Sequence, residues 1–304
     1  MKVVFWVGAT GTGKTARALD NAELHHADIL NADSVQMYEG VDIGSAKPTA
    51  EERARAPHFL FDLVKYPEVL TAGDYNRHFF ELLNQHRPQR RPQFVVGGTG
   101  FYFQAIEKGI LEIPKANPET AKRLEAEIAE PGGEAKLHQR LQALDPVAGA
   151  RIHARDHYRV VRALDIIEAT GQSLTSLLEA HKNSGPRFPD PLLKLGLRME
   201  REEHLQILRE RTRRMLQDGW LDEVQGLIGK GQGEWEPLGA VGYRECVQFL
   251  RGEFPREELE DRIVQSTSRL AKKQRTWFQK DPEIRWFHPS QKSEIADAVA
   301  AFLG

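Results

Sequence analysis

Gly8-Ala9-Thr10-Gly11-Thr12-Gly13-Lys14-Thr15 fills every fixed position of the phosphate-loop pattern G-x-x-x-x-G-K-[ST]. Its surroundings suit it. Val3-Val4-Phe5-Trp6-Val7 ahead of it is a short apolar run of the kind a buried parallel strand needs. Ala16, Ala18 and Leu19 behind it open a helix. The glycines let backbone N–H groups turn inward around an anion at a helix N-terminus. Lys14 adds a point charge for the outer phosphates, and the Thr15 hydroxyl is placed to ligate Mg2+. The dinucleotide fingerprint is not met, because Lys14 and Thr15 stand where its variable positions fall. The expected ligand therefore carries linked phosphates.

With 304 residues the chain exceeds one ordinary core, so a main domain plus an insertion or second domain is expected. Its 40% hydrophobic and 28% charged residues are those of an ordinary globular protein. A net charge of -2 gives no chain-wide sign of a polyanion partner, so any nucleic-acid surface must be local. The single cysteine, Cys246, excludes an intramolecular disulfide framework and a Cys-cluster zinc site, and it fits a cytoplasmic location. No apolar run approaches a bilayer span and the chain starts on a core strand, so no membrane partner is expected.

A second buried strand is expected near Ala27-Asp28-Ile29-Leu30-Asn31-Ala32, leading into Asp33-Ser34-Val35-Gln36-Met37-Tyr38. In an open α/β sheet the residues past the carboxyl ends of the strands line the ligand crevice, so Asp33 should face the phosphate loop. Asp42-Ile43-Gly44-Ser45-Ala46-Lys47-Pro48-Thr49 has too many turn formers for an element and is expected to be an ordered loop at the same rim. Residues 72–83 carry Tyr75, Phe79, Leu82 and Leu83 at helical spacing. Phe94-Val95-Val96 then forms a third core strand that runs into Gly97-Gly98-Thr99-Gly100-Phe101-Tyr102. Proteins that hydrolyse ATP on a phosphate loop usually end such a strand in an acid. Two glycines stand here instead, which implies a close backbone approach to a ligand or to the phosphate loop. Asp33 is then the carboxylate well placed at a strand end, as metal support or as general base.

Residues 111–189 read as a helical insertion between core segments 1–110 and 190–304. Strand-like runs stop there, and amphipathic patterns cover residues 118–128, 134–144 and 158–170. Pro131-Gly132-Gly133 and Pro186-Arg187-Phe188-Pro189-Asp190-Pro191 look like joints. Arg159 and Arg162, three apart, share one helix face while Val160, Val161 and Leu164 pack; a solvated pair is the plainer reading. Leu192-Leu193-Lys194-Leu195-Gly196-Leu197-Arg198-Met199 restores strand character. The charged helix after it holds Arg209, Arg211, Arg213 and Arg214, either a solvated face or a source for one arginine across the phosphate site. Leu238-Gly239-Ala240-Val241-Gly242-Tyr243-Arg244-Glu245 turns into a further helix. Over residues 262–280, Arg262, Arg269, Lys273 and Lys280 fall within about 20° of one another on a helical wheel. Ile263, Leu270 and Trp277 form an adjacent apolar stripe. With Lys272 and Arg275 and no acid in the run, this face is expected to meet the phosphates of a structured RNA or DNA.

These stretches together resemble the tRNA dimethylallyltransferases (tRNA isopentenyltransferases). The likeness covers nearly the whole chain and rests on the phosphate loop and on the stretches 33–38, 42–49, 96–102, 159–164, 240–245 and Ala271-Lys272-Lys273-Gln274-Arg275-Thr276-Trp277-Phe278, in that order. Departures are small: Ala9 stands where proline is usual, Gly11-Thr12 where Ala-Ser is common, and Tyr158 where a glutamine often precedes the first arginine. The resemblance implies a parallel α/β sheet like that of phosphate-loop NTPases, flanked by helices and carrying a helical insertion that contacts tRNA. It implies transfer of a dimethylallyl group from dimethylallyl diphosphate to N6 of adenosine at tRNA position 37, beside the anticodon. Residues 8–15 would hold the diphosphate, with Lys14, Thr15 with Mg2+, and Arg211 stabilising the charge that builds on it. Asp33 would take the N6 proton of the flipped-out adenine. By the same resemblance Asp33, Ser34, Val35, Gln36, Thr99, Tyr158, Arg159 and Arg162 belong to the tRNA rim, and Arg269, Lys272 and Lys273 to the anticodon stem. Phe101-Tyr102-Phe103 either shields the allyl chain or is core. A monomer without a zinc-finger extension is expected. The alternatives are a small-molecule kinase, a prenyltransferase acting on free adenine nucleotides, and a non-catalytic RNA switch.

Overall fold

The phosphate loop joins β1 (Val3–Gly8) to α1 (Lys14–His25) in a computed structural model that describes residues 1–111, 113–114, 116–184 and 188–304, with backbone alone for 182–184. β2 (Asp28–Asn31), α2 (Ala50–Arg55), β3 (His58–Phe59), α3 (Ala72–His86), β4 (Gln93–Gly97) and α4 (Gly100–Lys108) follow. Five helices come next: α5 (Pro118–Ala129), α6 (Gly133–Leu144), α7 (Pro146–Arg151), α8 (His157–Thr170) and α9 (Leu174–Ser184). The chain then returns through β5 (Leu192–Leu197), α10 (Arg201–Gln217), α11 (Trp220–Gly229), α12 (Tyr243–Leu250), α13 (Leu259–Phe278), β6 (Arg285–Phe287) and α14 (Lys292–Leu303).

The six strands form one parallel sheet in the order β3, β2, β4, β1, β5, β6. β1 is central: Trp6 lies opposite Val96 on one side and Leu195 on the other. Every residue of β1, β2 and β4 is buried, as befits a sheet covered on both faces. Side chains alternate across it with the period of two that a pleated strand imposes. Val4 and Trp6 pack with Ala18 and Leu19 of α1 and Ile295 and Val299 of α14. Phe5, between them, meets the edge of Phe103 from α4 at 5.0 Å, and Phe103 in turn meets Phe278 of α13 at 5.8 Å. Each large buried side chain of this kind contributes about 1.5–3 kcal/mol. Because all strands run one way, Gly8, Asn31 and Gly97 leave the sheet on the same side.

Two compact units result: Met1–Ile106 with Pro189–Gly304, and Glu107–Phe188. The second begins a few residues before the expected 111, in the last turn of α4. Pro186 and Arg187 of the second expected joint lie outside the described residues. The helical unit has its own core, built from Leu124, Leu137, Leu141, Val160 and Leu164 among others. Asp145, 1% exposed, caps α7 through the Ala148 N–H and takes both the N–H and the hydroxyl of Thr175. Burial opposes its charge, but these donors outweigh that and hold the carboxyl below its ordinary range.

Candidate active site

Gly13, in the left-handed region at φ 78, turns the phosphate loop into the first turn of α1, where no side chain caps the free N–H groups. Thr12 tightens the loop from inside, its buried hydroxyl donating to Ala9 O at 2.8 Å. The Lys14 ammonium also points back, 3.4 Å from Ala9 O. Burial lowers the Lys14 pKa to about 8; Asp33 pulls it up and Arg211 pushes it down. Arg211 comes from α10, and its Nη1 lies 3.4 Å from Thr10 Oγ1. Burial works against its charge and Asp33 supports it. Lys14, Arg211 and Asp33 therefore lie near enough to one another for their charges to interact. Thr15 is half-buried on the first turn of α1, and no hydrogen bond from the described residues engages its hydroxyl.

The other polar atoms of Thr10 are held from a distance. Its N–H donates to Gln274 Oε1 at 2.8 Å, and its carbonyl accepts from His204 Nε2 at 2.8 Å. Burial keeps the His204 pKa low against that bond, with Arg275 and Lys14 adding to the effect, so the ring is neutral with its proton on Nε2.

Asp33 leaves β2 in a tight turn. Its N–H donates to Asn31 Oδ1 at 2.9 Å, and its own Oδ1 accepts from Val35 N–H at 3.0 Å. Oδ2 has no hydrogen bond among the described residues, so one carboxylate oxygen is available beside the phosphate loop. Ser34 N–H donates to Thr99 Oγ1 at 3.1 Å, which ties this turn to the end of β4. Gln36 holds the 42–49 loop, donating through Nε2 to Ser45 O at 2.9 Å and Ala46 O at 3.0 Å. That loop is fixed from its far side by Glu223 of α11, which accepts from the N–H groups of Asp42 at 2.9 Å, Ile43 at 2.7 Å and Gly44 at 3.4 Å. The Tyr243 hydroxyl adds a fourth donor to Glu223 at 2.5 Å. Lys47 anchors the loop with Tyr38 O at 2.6 Å and the carboxylates of Asp42 and Asp62. Trp220 fills the space between Gly44 and Gly242: a Cβ on either would lie 1.9 or 2.2 Å from its indole.

Neither glycine at the end of β4 serves the approach expected of it. A Cβ on Gly97 would lie 2.1 Å from Ala32 O, so the close neighbour is the outgoing end of β2 rather than a ligand or the phosphate loop. A Cβ on Gly98 would lie 2.3 Å from Gln274 Nε2. In the turn that follows, Phe101 is exposed whereas Tyr102 and Phe103 are core, Tyr102 stacking on Tyr75 at 3.9 Å.

The basic residues divide by partner. Arg269, Lys272 and Lys273 of α13 are exposed and make no ion pair among the described residues. Arg262, expected to share their face, pairs instead with Glu258 at 2.8 Å and lies over Phe254. The apolar stripe also ends early: Ile263 is buried, but Trp277 is 42% exposed and lies against Gly100. On α10, Arg209 and Arg213 pair with Glu260 and Asp261, leaving Arg211 as the one turned to the phosphate loop. In the helical unit Tyr158 is 80% exposed, Arg159 pairs with Asp156 at 3.3 Å, and Arg162 is tied to Asp165 and Pro114 O. Sequence reasoning missed His204, Gln274 and Glu223 as site residues, although Gln274 stands inside a quoted stretch.

The description IPP transferase belongs to the family model that matches residues 36–281. A tRNA dimethylallyltransferase of Bdellovibrio bacteriovorus is 42% identical over 302 residues, 99% of this chain and 98% of its own. One from Geobacter metallireducens is 39% identical over 303 residues, 99% of this chain and 97% of its own. Among solved structures, the full-length tRNA isopentenylpyrophosphate transferase of Bacillus halodurans is 32% identical at a TM-score of 0.73, covering 99% of this chain and 96% of that one. A eukaryotic dimethylallyltransferase acting on tRNA shares the fold at a TM-score of 0.82 with 23% identity, covering 98% of this chain and 77% of that one. The loop, the parallel sheet and these likenesses agree, and the chain belongs to the IPP transferase family, that of the tRNA dimethylallyltransferases.

Proposed function

We propose that the chain transfers a dimethylallyl group from dimethylallyl diphosphate to N6 of adenosine 37 in the tRNA anticodon loop, releasing diphosphate. The arrangement that supports this reading is a phosphate loop with two cations, Lys14 and Arg211, and one unpaired carboxylate oxygen, on Asp33, in the same locality. β4 ends in Gly97 and Gly98 where a hydrolase would keep its acid.

In this mechanism the N–H groups of residues 11–15, Lys14 and Arg211 hold the diphosphate and stabilise the charge that grows as the allylic C–O bond breaks. The N6 lone pair forms the new C–N bond, and Asp33 accepts the N6 proton on its free oxygen. Ser34, Val35, Gln36 and Thr99 border the adenosine. The side chains of Gln36 and Thr99 are already committed to holding the rim, which leaves that border rigid. The Thr15 hydroxyl, a hard oxygen without a hydrogen-bond partner among the described residues, fits Mg2+ and would hold it there. Bound there, the ion would neutralise charge on the leaving diphosphate. Arg269, Lys272 and Lys273 contact the phosphates of the anticodon stem, and Tyr158, Arg159 and Arg162 contact tRNA from the helical unit. The enzyme acts as a monomer in the cytoplasm.

Incubation with Mg2+, labelled dimethylallyl diphosphate and a tRNA transcript tests this directly. Label should appear in the RNA. Unlabelled tRNA together with ATP consumption against a small acceptor would establish a kinase instead.

A further inference from the structure

We propose that Gln274 is a positioning residue that locks the crest of the phosphate loop to the turn at the end of β4, and so sets the leaving diphosphate against the acceptor base. The inference rests on the transfer reaction proposed above and goes beyond it by assigning a residue of α13 to the alignment of the two substrates. The side-chain amide of Gln274 makes two bonds of opposite sense. Oε1 accepts from Thr10 N–H at 2.8 Å, and Nε2 donates to Gly98 O at 3.0 Å. A main-chain N–H and a main-chain carbonyl fix which end of the amide faces which, so the group has one orientation. Gly98 has the form this contact requires, since a Cβ there would lie 2.3 Å from Nε2.

The two partners belong to the two halves of the reaction. Thr10 is held at its carbonyl by His204 and at its hydroxyl by Arg211, so the Gln274 bond completes the capture of its polar atoms by helices outside the loop's own strand and helix. Gly98 precedes Thr99, whose hydroxyl holds the Ser34 N–H next to Asp33. One amide therefore joins the phosphate cradle to the turn after β4, which in turn holds, through Thr99, the turn that carries Asp33. A displacement near 1 Å between reacting groups costs on the order of 100-fold in rate, and no other residue hydrogen-bonds both elements among the described residues.

A mutant cycle tests the assignment. Gln274→Ala and Gly98→Ala should each lower kcat by about 10- to 100-fold, with tRNA affinity within about 2-fold and weaker binding of magnesium pyrophosphate by calorimetry. If Gly98→Ala acts by evicting the amide, the double variant should be no worse than Gln274→Ala alone. Should Gln274→Ala melt early, Gln274→Met keeps the apolar stem and takes its place. Wild-type kcat in the Gln274 variant, multiplied losses in the double variant, or tRNA affinity falling in step with kcat would overturn the proposal. Were the wild-type protein to transfer no prenyl group, the functional reading would fall. Pyrophosphate affinity would then decide Gln274 by itself: weakened in both single variants upholds the lock, unchanged in both removes it.

Discussion

The first two turns of α8 and the outer face of α13 both display arginine or lysine, yet they are built differently. On α8 each cation has an acid three residues away: Arg159 has Asp156, and Arg162 has Asp165. On α13, Arg269, Lys272 and Lys273 have none among the described residues, and Arg269 and Lys273 stand four apart, where like charges repel. A polyanion on α8 must displace an existing partner, whereas one on α13 relieves a strain the folded protein already carries. The phosphate loop is a third case, in which cations are buried and supported by a carboxylate rather than neutralised by it. Equal charge is thus expected to give unequal affinity for a polyanion, with the local acid count setting the difference.

The predictions rank in that order. Replacing Asp33 with alanine should cut turnover by about two to four powers of ten while leaving tRNA affinity within a few-fold; equal single-turnover rates for mutant and wild type would remove it as the base. Arg269→Glu combined with Lys273→Glu should weaken tRNA binding by roughly 10- to 100-fold at low salt and lower the salt slope by roughly two. Filter binding across a salt series measures both, and an unaltered slope would show α13 to be idle. Pyrophosphate affinity should fall as pH rises past about 8, where Lys14 loses its charge in the free protein. The stability term has the opposite sign: the folded value lies below the ordinary 10.5, so between the two the unfolded chain holds more protons and Lys14's contribution to stability rises with pH. Lys14→Met should flatten both profiles in calorimetry and in denaturant melts. The smallest effect is expected for Arg159→Ala, about 2- to 3-fold in tRNA affinity, since its partner Asp156 offsets it already. A loss as large as that from the α13 pair would break the contrast between the two faces.

Much of this site was legible in order along the chain because its pieces are local. The run 3–7, the glycine spacing and the first apolar residues of α1 each carry their own signal, and Asp33 follows from where a parallel strand must end. β3 and β6 escaped, since two or three residues cannot display a period. The helical wheel placed Trp277 in an apolar stripe because it gives angles and not neighbours; the far end of that stripe meets Gly100 and solvent. Gln274 and His204 were invisible for a related reason. Their partners at Thr10 are 264 and 194 residues away, and a lone polar residue on a charged helix has no feature that announces such a contact. Glycine at 97 and 98 was correctly singled out as a close approach, but only the fold says what approaches.

Trp220 carries a consequence for how this protein can vary. Its indole is the common spacer for Gly44 and Gly242, on two segments nearly 200 residues apart, so neither glycine can acquire a methyl group while the ring stays. The three positions form a linked set, but not an even one: shrinking the tryptophan would make room for a side chain at Gly44, whereas Gly242, at φ 91, would stay strained for any residue with a Cβ.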